Sequence, residues 1–153
     1  MTFSSLILTT HWLAGFAGLL TGAVAMAAPK YSRLHKRSGF IYFLIMSYVI
    51  LTSILLSFMN WQKNWWLFLI ALFSYYFCLT GYLSVKRKAP GWILPHITGM
   101  LGSYVAMVTA FVVLNIHRLP GSEKIPYPIY WVLPTLIAIP FIRRVKQKWS
   151  HIK

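Results

Sequence analysis

The chain has 153 residues, a formal net charge of +14 and a pI near 10.3, with 58% hydrophobic and only 10% charged residues. A soluble domain carries about 25% charged residues, so this composition belongs in a bilayer and excludes a soluble globular protein. Nucleic-acid binding is excluded with it, because the cations fall in short clusters between apolar runs instead of along one exposed face.

Five apolar segments follow in chain order. They predict an all-α, integral membrane helical bundle built as one domain over residues 1–153. The first segment runs from about Phe3 to Ala28, the second from Gly39 to Met59, the third from Trp65 to Val85 and the fourth from Ile93 to Leu114. Each is close to the roughly 20 residues that a helix needs to cross hydrocarbon. The fifth, Pro128 to Ile142, is shorter and contains Pro134 and Pro140. It is expected to cross as a short, proline-kinked helix, since neighbouring helices can satisfy the freed carbonyls; a re-entrant segment is the alternative. A basic tail, 143–153, completes the chain.

Charge between the segments alternates. Lys30, Arg33, Lys36 and Arg37 follow the first segment, Lys86, Arg87 and Lys88 the third, and Arg143, Arg144, Lys146, Lys148 and Lys153 the fifth. The other two loops hold only Lys63, Arg118 and Lys124, the last beside Glu123. By the positive-inside rule the N-terminus lies outside and the C-terminus is cytoplasmic, the outcome that five spans also require by parity. Trp61, Trp65, Trp66 and Trp131 then mark the outer boundary, with Trp92 and Trp149 inside. A bacterial inner membrane location is expected, with anionic lipids as partners of the cytoplasmic loops. Ala25-Met26-Ala27 resembles a signal-peptidase site, but no positive charge precedes the first segment, so it reads as a retained span.

Chemistry in this chain has few carriers. It contains one acidic side chain, Glu123, and one cysteine, Cys78, which reads as a small buried apolar residue. Imidazole is therefore nearly the only group able to bind a metal or move a proton near neutral pH, and ionisable groups at membrane depth are functional candidates. His11 falls within the first segment, above a stripe of Gly15, Gly18, Gly22 and Met26 at helical spacing. Such small-residue stripes permit close approach of another helix or of a flat cofactor. His96 opens the fourth segment and shares a face with Met100, Ser103, Tyr104, Met107 and Phe111. His35 is read as lying in the first cytoplasmic loop, Pro29 to Ser38, at a depth similar to His96. His35 and His96 are thus the better pair of metal-ligand candidates, although zinc or copper normally demands more ligands. Haem iron needs only one or two axial ligands. His117 is too shallow to share an ion with His11, and His151 reads as a solvated tail residue. The cations of Pro29–Ser38 serve topology and lipid contact, or hold haem propionates or a phosphate-bearing substrate.

Three groups of residues carry a family resemblance along nearly the whole chain. The first is His11 with Gly15 and Gly22, then His35, Gly39 and Tyr42 in an H-x3-G-x2-Y pattern. The second is His96, Met100, Ser103 and Tyr104, running on to Thr109, Ala110, Phe111 and Asn115. The third is Trp131, Leu133, Pro134, Thr135 and Pro140, with Ala138 where glycine is more usual. Together they resemble the bacterial membrane family known as domain of unknown function 2306, which implies architecture and no reaction. The histidine-bearing helices also look loosely like those of b-type cytochromes of the b561 kind. Those proteins sandwich haem between histidines of neighbouring spans; this chain lacks their two clear intramembrane pairs, so one haem at most is expected.

Three functions compete. The first is membrane redox or haem handling, with His96 as one axial ligand, His35 or His11 as the other, and Ser103 and Tyr104 as supporting donors. The second is binding or transport of a small ligand through a cytoplasm-facing cavity, motivated by the polar fourth segment and the proline-broken fifth; a homodimer would supply the symmetry that five spans lack. The third is a structural or assembly subunit of a membrane complex. Hydrolytic enzymes are unsupported: GxSxG, HExxH, a P-loop and paired carboxylates are all missing from the sequence.

Overall fold

A computed structural model describes residues 2–118 and 120–150, and among these every regular element is helical. His151 and Lys153 of the expected tail lie outside the described residues. The elements are α1 (Phe3–Ala27), α2 (Arg33–Met59), α3 (Trp61–Arg87), α4 (Ile93–Asn115) and α5 (Tyr127–Trp149), with two short 3-10 turns, Ile116–Arg118 and Ser122–Lys124, between the last two. All five α-helices are long and apolar enough to cross a membrane.

Local chemistry explains where these helices start and how they tolerate polar residues. The Thr2 side chain caps α1 by accepting from the Ser5 amide at 3.4 Å, and Ser32 caps α2 by accepting from the His35 amide at 3.1 Å. Within the helices, hydroxyls return their protons to carbonyls of the preceding turn, as Thr21 does to Ala17 and Thr98 to Leu94. Lipid offers no water to satisfy such groups. Among the described residues, no buried side-chain nitrogen or oxygen lacks a hydrogen-bond partner.

Helix limits differ from the sequence reading at three places. α2 begins at Arg33, so His35 belongs to its first turn and not to a loop. The Ser32 cap, together with arginine and lysine of good helix propensity, starts the helix before the apolar run. Likewise α3 begins at Trp61, which leaves only Asn60 between it and α2 and places Lys63 on the helix. The fifth helix is not short. It continues over Arg143–Trp149 to a length of 23 residues, because arginine, lysine and glutamine extend a helix readily. Pro134 and Pro140 lie inside it.

The chain divides into two compact units, Met1–Leu79 and Thr80–Lys153. In the first, α1 and α2 form an antiparallel hairpin. Contacts joining residues 11 and 52, 10 and 48, and 25 and 35 keep a nearly constant sum of residue numbers, as antiparallel helices require. The buried face of α1 is Ile7, Gly18, Gly22 and Ala25. Only part of the expected glycine stripe is therefore used: Met26 is exposed and a Cβ at Gly15 would meet nothing within 4 Å. α2 answers with Ser38, Tyr42, Met46 and Ile50 at steps of four. By the hairpin register Tyr42, 2% exposed, comes level with Gly18, a large residue opposite a small one.

In the second unit the end of α3 crosses α4 at very short range. A Cβ on Gly81 would lie 2.7 Å from the Met100 amide nitrogen and 3.0–3.1 Å from Gly99 backbone atoms. Glycine is needed here because backbone meets backbone. α5 packs on α4, with Tyr130 buried and its hydroxyl donating to the Ser122 carbonyl at 2.9 Å.

Gly81→Ala is expected to destabilise the protein by about 1–3 kcal/mol through overpacking. Gly15→Ala, in open space, loses nothing and gains helix propensity. Thermal denaturation of both variants in one detergent tests the contrast; equal melting temperatures would contradict the close crossing.

Candidate functional site

Each of the three candidate histidines spends one ring nitrogen on a neighbouring helix. His11 Nδ1 of α1 lies 2.8 Å from Thr52 Oγ1 of α2. The Thr52 hydroxyl proton points to the carbonyls of Tyr48 and Val49, each at 2.9 Å, so Oγ1 accepts and the imidazole donates. Beside this bond, Tyr48 donates its hydroxyl to Thr10 Oγ1 at 2.9 Å, and Thr10 donates to carbonyls of its own helix. Two polar rungs therefore tie α1 to α2 at adjacent levels.

At the other end of the same hairpin, His35 Nδ1 of α2 donates to the Ala25 carbonyl in the last turn of α1, at 2.8 Å. Lys30 turns back on that end too, its Nζ donating to the Met26 carbonyl at 2.7 Å and reaching the Ala25 carbonyl at 3.4 Å. The last carbonyls of a helix have no partners within it and carry partial negative charge. An imidazole and an ammonium from the following segment are what satisfy them here. Partial burial against the helix end holds the Lys30 ammonium below the ordinary lysine range.

His96 repeats the arrangement in the second unit. Its Nδ1 donates to the Gly81 carbonyl of α3 at 2.9 Å. That carbonyl belongs to the glycine whose missing side chain lets α4 come close. The indole of Trp92, one turn earlier, lies 6.1 Å from the His96 ring, tilted by 52°.

A carbonyl only accepts, so His35 and His96 carry a proton on Nδ1, and in the neutral ring the lone pair is on Nε2. This tautomer is the one that ligates through Nε2, with a backbone carbonyl orienting the ring. The same bonds hold each ring against a neighbouring helix.

The candidate residues do not all converge. His11 stands 14 residues before Ala25 on α1, where His35 is bound, which separates the two histidines by about 21 Å along the helix. One iron cannot take both. Ser103 and Tyr104 lie seven and eight residues beyond His96 on α4, about 10–12 Å along the axis. Ser103, fully buried, donates to the Met100 carbonyl of its own helix at 2.9 Å. His117 is exposed in the 3-10 turn after α4. Among the described residues, no group of three or more His, Cys, Asp or Glu side chains is placed to hold a metal ion.

Sequence reasoning missed the partners: Thr52, the Ala25 carbonyl and the Gly81 carbonyl. A threonine in an apolar run is a faint signal for the first; the carbonyls leave none, because any residue has one.

The His11–Thr52 bond is expected to show a coupling of about 0.6 kcal/mol, and not above about 2 kcal/mol, in a double-mutant cycle of His11→Ala and Thr52→Ala. Reversible unfolding in mixed detergent measures it. Strict additivity of the two losses would mean that the pair does not interact.

A family model described as "Predicted membrane protein (DUF2306)" matches residues 8–142. No match to the chain is found among curated proteins or among solved structures. The matched region opens in α1, closes in α5 and takes in His11, His35, His96 and all of the partners named above. A match across so much of the chain makes this multi-spanning membrane protein a member of the DUF2306 family.

Proposed function

We propose that the protein binds a single b-type haem in the membrane, which the imidazole of His96 would hold, and serves a redox role. The observation that carries the reading is the 2.9 Å bond from His96 Nδ1 to the Gly81 carbonyl, which fixes the tautomer that ligates through Nε2. The donor set suits haem better than zinc or copper, since haem needs only one or two protein ligands and carboxylates are nearly absent from the sequence. Bound haem would supply one-electron chemistry. The chain's own part is to orient His96 and to exclude water.

The optical spectrum of the detergent-purified protein, supplemented with haem, oxidised in air and then reduced with dithionite, tests this. A Soret band with sharp reduced α and β bands is expected, lost in His96→Ala while helicity is retained. A flat visible spectrum removes the haem reading. It leaves the second reading, a structural subunit, which is favoured by the use of all three histidines as inter-helix donors.

We also propose that the protein sits in a bacterial inner membrane with its N-terminus outside and its C-terminus cytoplasmic, as the distribution of cations supports. The single native cysteine, Cys78, is fully buried and so gives a quiet background. In intact cells, Ser4→Cys is expected to react with a membrane-impermeant maleimide and Ser150→Cys only after lysis. The reverse pattern would invert the topology.

A further inference from the structure

We propose that the first turns of α2 form a headgroup site for anionic phospholipid, built from Arg33, Lys36 and Arg37. These three residues recur at steps of three and four and fall within an arc of about 100° on the helix. His35, bonded to α1, is on the opposite side, so the cations face away from the hairpin, and all three are exposed. Lys30 is not part of this face, because its ammonium is engaged with the end of α1.

By itself the arrangement is unfavourable. Like charges three and four residues apart on a helix repel, and a helix N-terminus already carries partial positive charge. The first turn of α2 holds no acidic residue, and the whole sequence has one acidic side chain, Glu123, against fifteen lysines and arginines. An external anion is therefore the group that offsets the repulsion.

Depth identifies the anion. From Ser38 to Phe58, α2 is predominantly apolar over 21 residues, about 30 Å, the thickness of bilayer hydrocarbon. At the far end Phe58, Trp61 and Phe68 cluster with ring centroids 5.4–5.7 Å apart, an aromatic anchor of the kind found at a membrane interface. The cations then lie at the level of the phosphates of the opposite leaflet. Leu34 and Tyr31, each 55% exposed, flank them with apolar surface suited to the glycerol and upper acyl region. Guanidinium pairs with phosphate oxygens bidentately, so the site prefers a lipid with net negative charge to a zwitterionic one. It is independent of any haem.

The test uses the full-length protein in detergent and native mass spectrometry, with phosphatidylglycerol and phosphatidylcholine added in equal amounts. Phosphatidylglycerol is expected to be retained about tenfold better. This preference is lost in Arg33→Gln/Lys36→Gln/Arg37→Gln and kept in Lys63→Gln/Arg118→Gln/Lys124→Gln, which removes the same charge elsewhere. Equal retention of the two lipids, or equal loss in both triple variants, would overturn the site. Should the first variant fail to fold, the wild-type protein decides. Phosphatidylglycerol is expected to protect Arg33 and Arg37 from phenylglyoxal, read by peptide mass spectrometry, whereas phosphatidylcholine or millimolar inorganic phosphate gives no protection. Labelling of both arginines at an unchanged rate, or protection by inorganic phosphate alone, would refute a lipid headgroup site.

Discussion

Hydrogen bonding without water is the constraint on which the rest of this structure depends. In hydrocarbon an unpaired polar group costs several kcal/mol, yet this chain places histidines, threonines and serines along its spans. Most hydroxyls solve the problem locally by donating to a carbonyl three or four residues back. An imidazole cannot do so readily, because its ring reaches away from its own helix. The three histidines therefore bond across to another helix, and each bond sets a helix pair: α1 with α2 through Thr52 and through Ala25, α4 with α3 through Gly81. Inter-helix bonds of this kind average only about 0.6 kcal/mol. Their value lies more in register and orientation than in stability.

Small residues make those bonds geometrically available. The Gly81 carbonyl accepts from His96 where α3 and α4 approach until a Cβ would meet backbone. α3 keeps Ala71, Ser74, Cys78 and Gly81 buried at steps of three and four, all of them small. The large side chains, among them Leu69, Phe73 and Tyr76, are exposed, where lipid tails are as good a solvent as protein. In water this distribution would be inside out; in a bilayer it is expected, because packing and not hydrophobic burial drives helix association.

Much of the architecture was legible from residue type alone. Five spans, their order and the buried state of Cys78 follow from hydropathy and length, and the structure agrees on each. α2, α3 and α5 extend beyond their apolar runs, so hydropathy alone understates their length. Charged residues at a span's end continue the helix into the headgroup layer, and Ser32, with a capping hydroxyl, marked the true start of α2. The glycine stripe of α1 was right in kind and partly wrong in membership: Gly18 and Gly22 are buried, but Gly15 is open and Met26 exposed. Periodicity gives a face; only the crossing point of two helices says which part of that face is used.

The sequence by itself determined that the chain resides in a membrane, that imidazole is nearly its only reactive group, and which three histidines stand at or within the spans. Those facts need only composition and a rise of 1.5 Å per residue. The tertiary structure alone decided the state and partner of each histidine. His35 and His96 carry the proton on Nδ1 because carbonyls of Ala25 and Gly81 face them, and His11 is paired with Thr52, far along α1 from His35. The physical reason is that the acceptors are mostly backbone atoms. Every residue has a carbonyl, so no pattern of side chains reveals which one a helix crossing will bring within 3 Å of a ring.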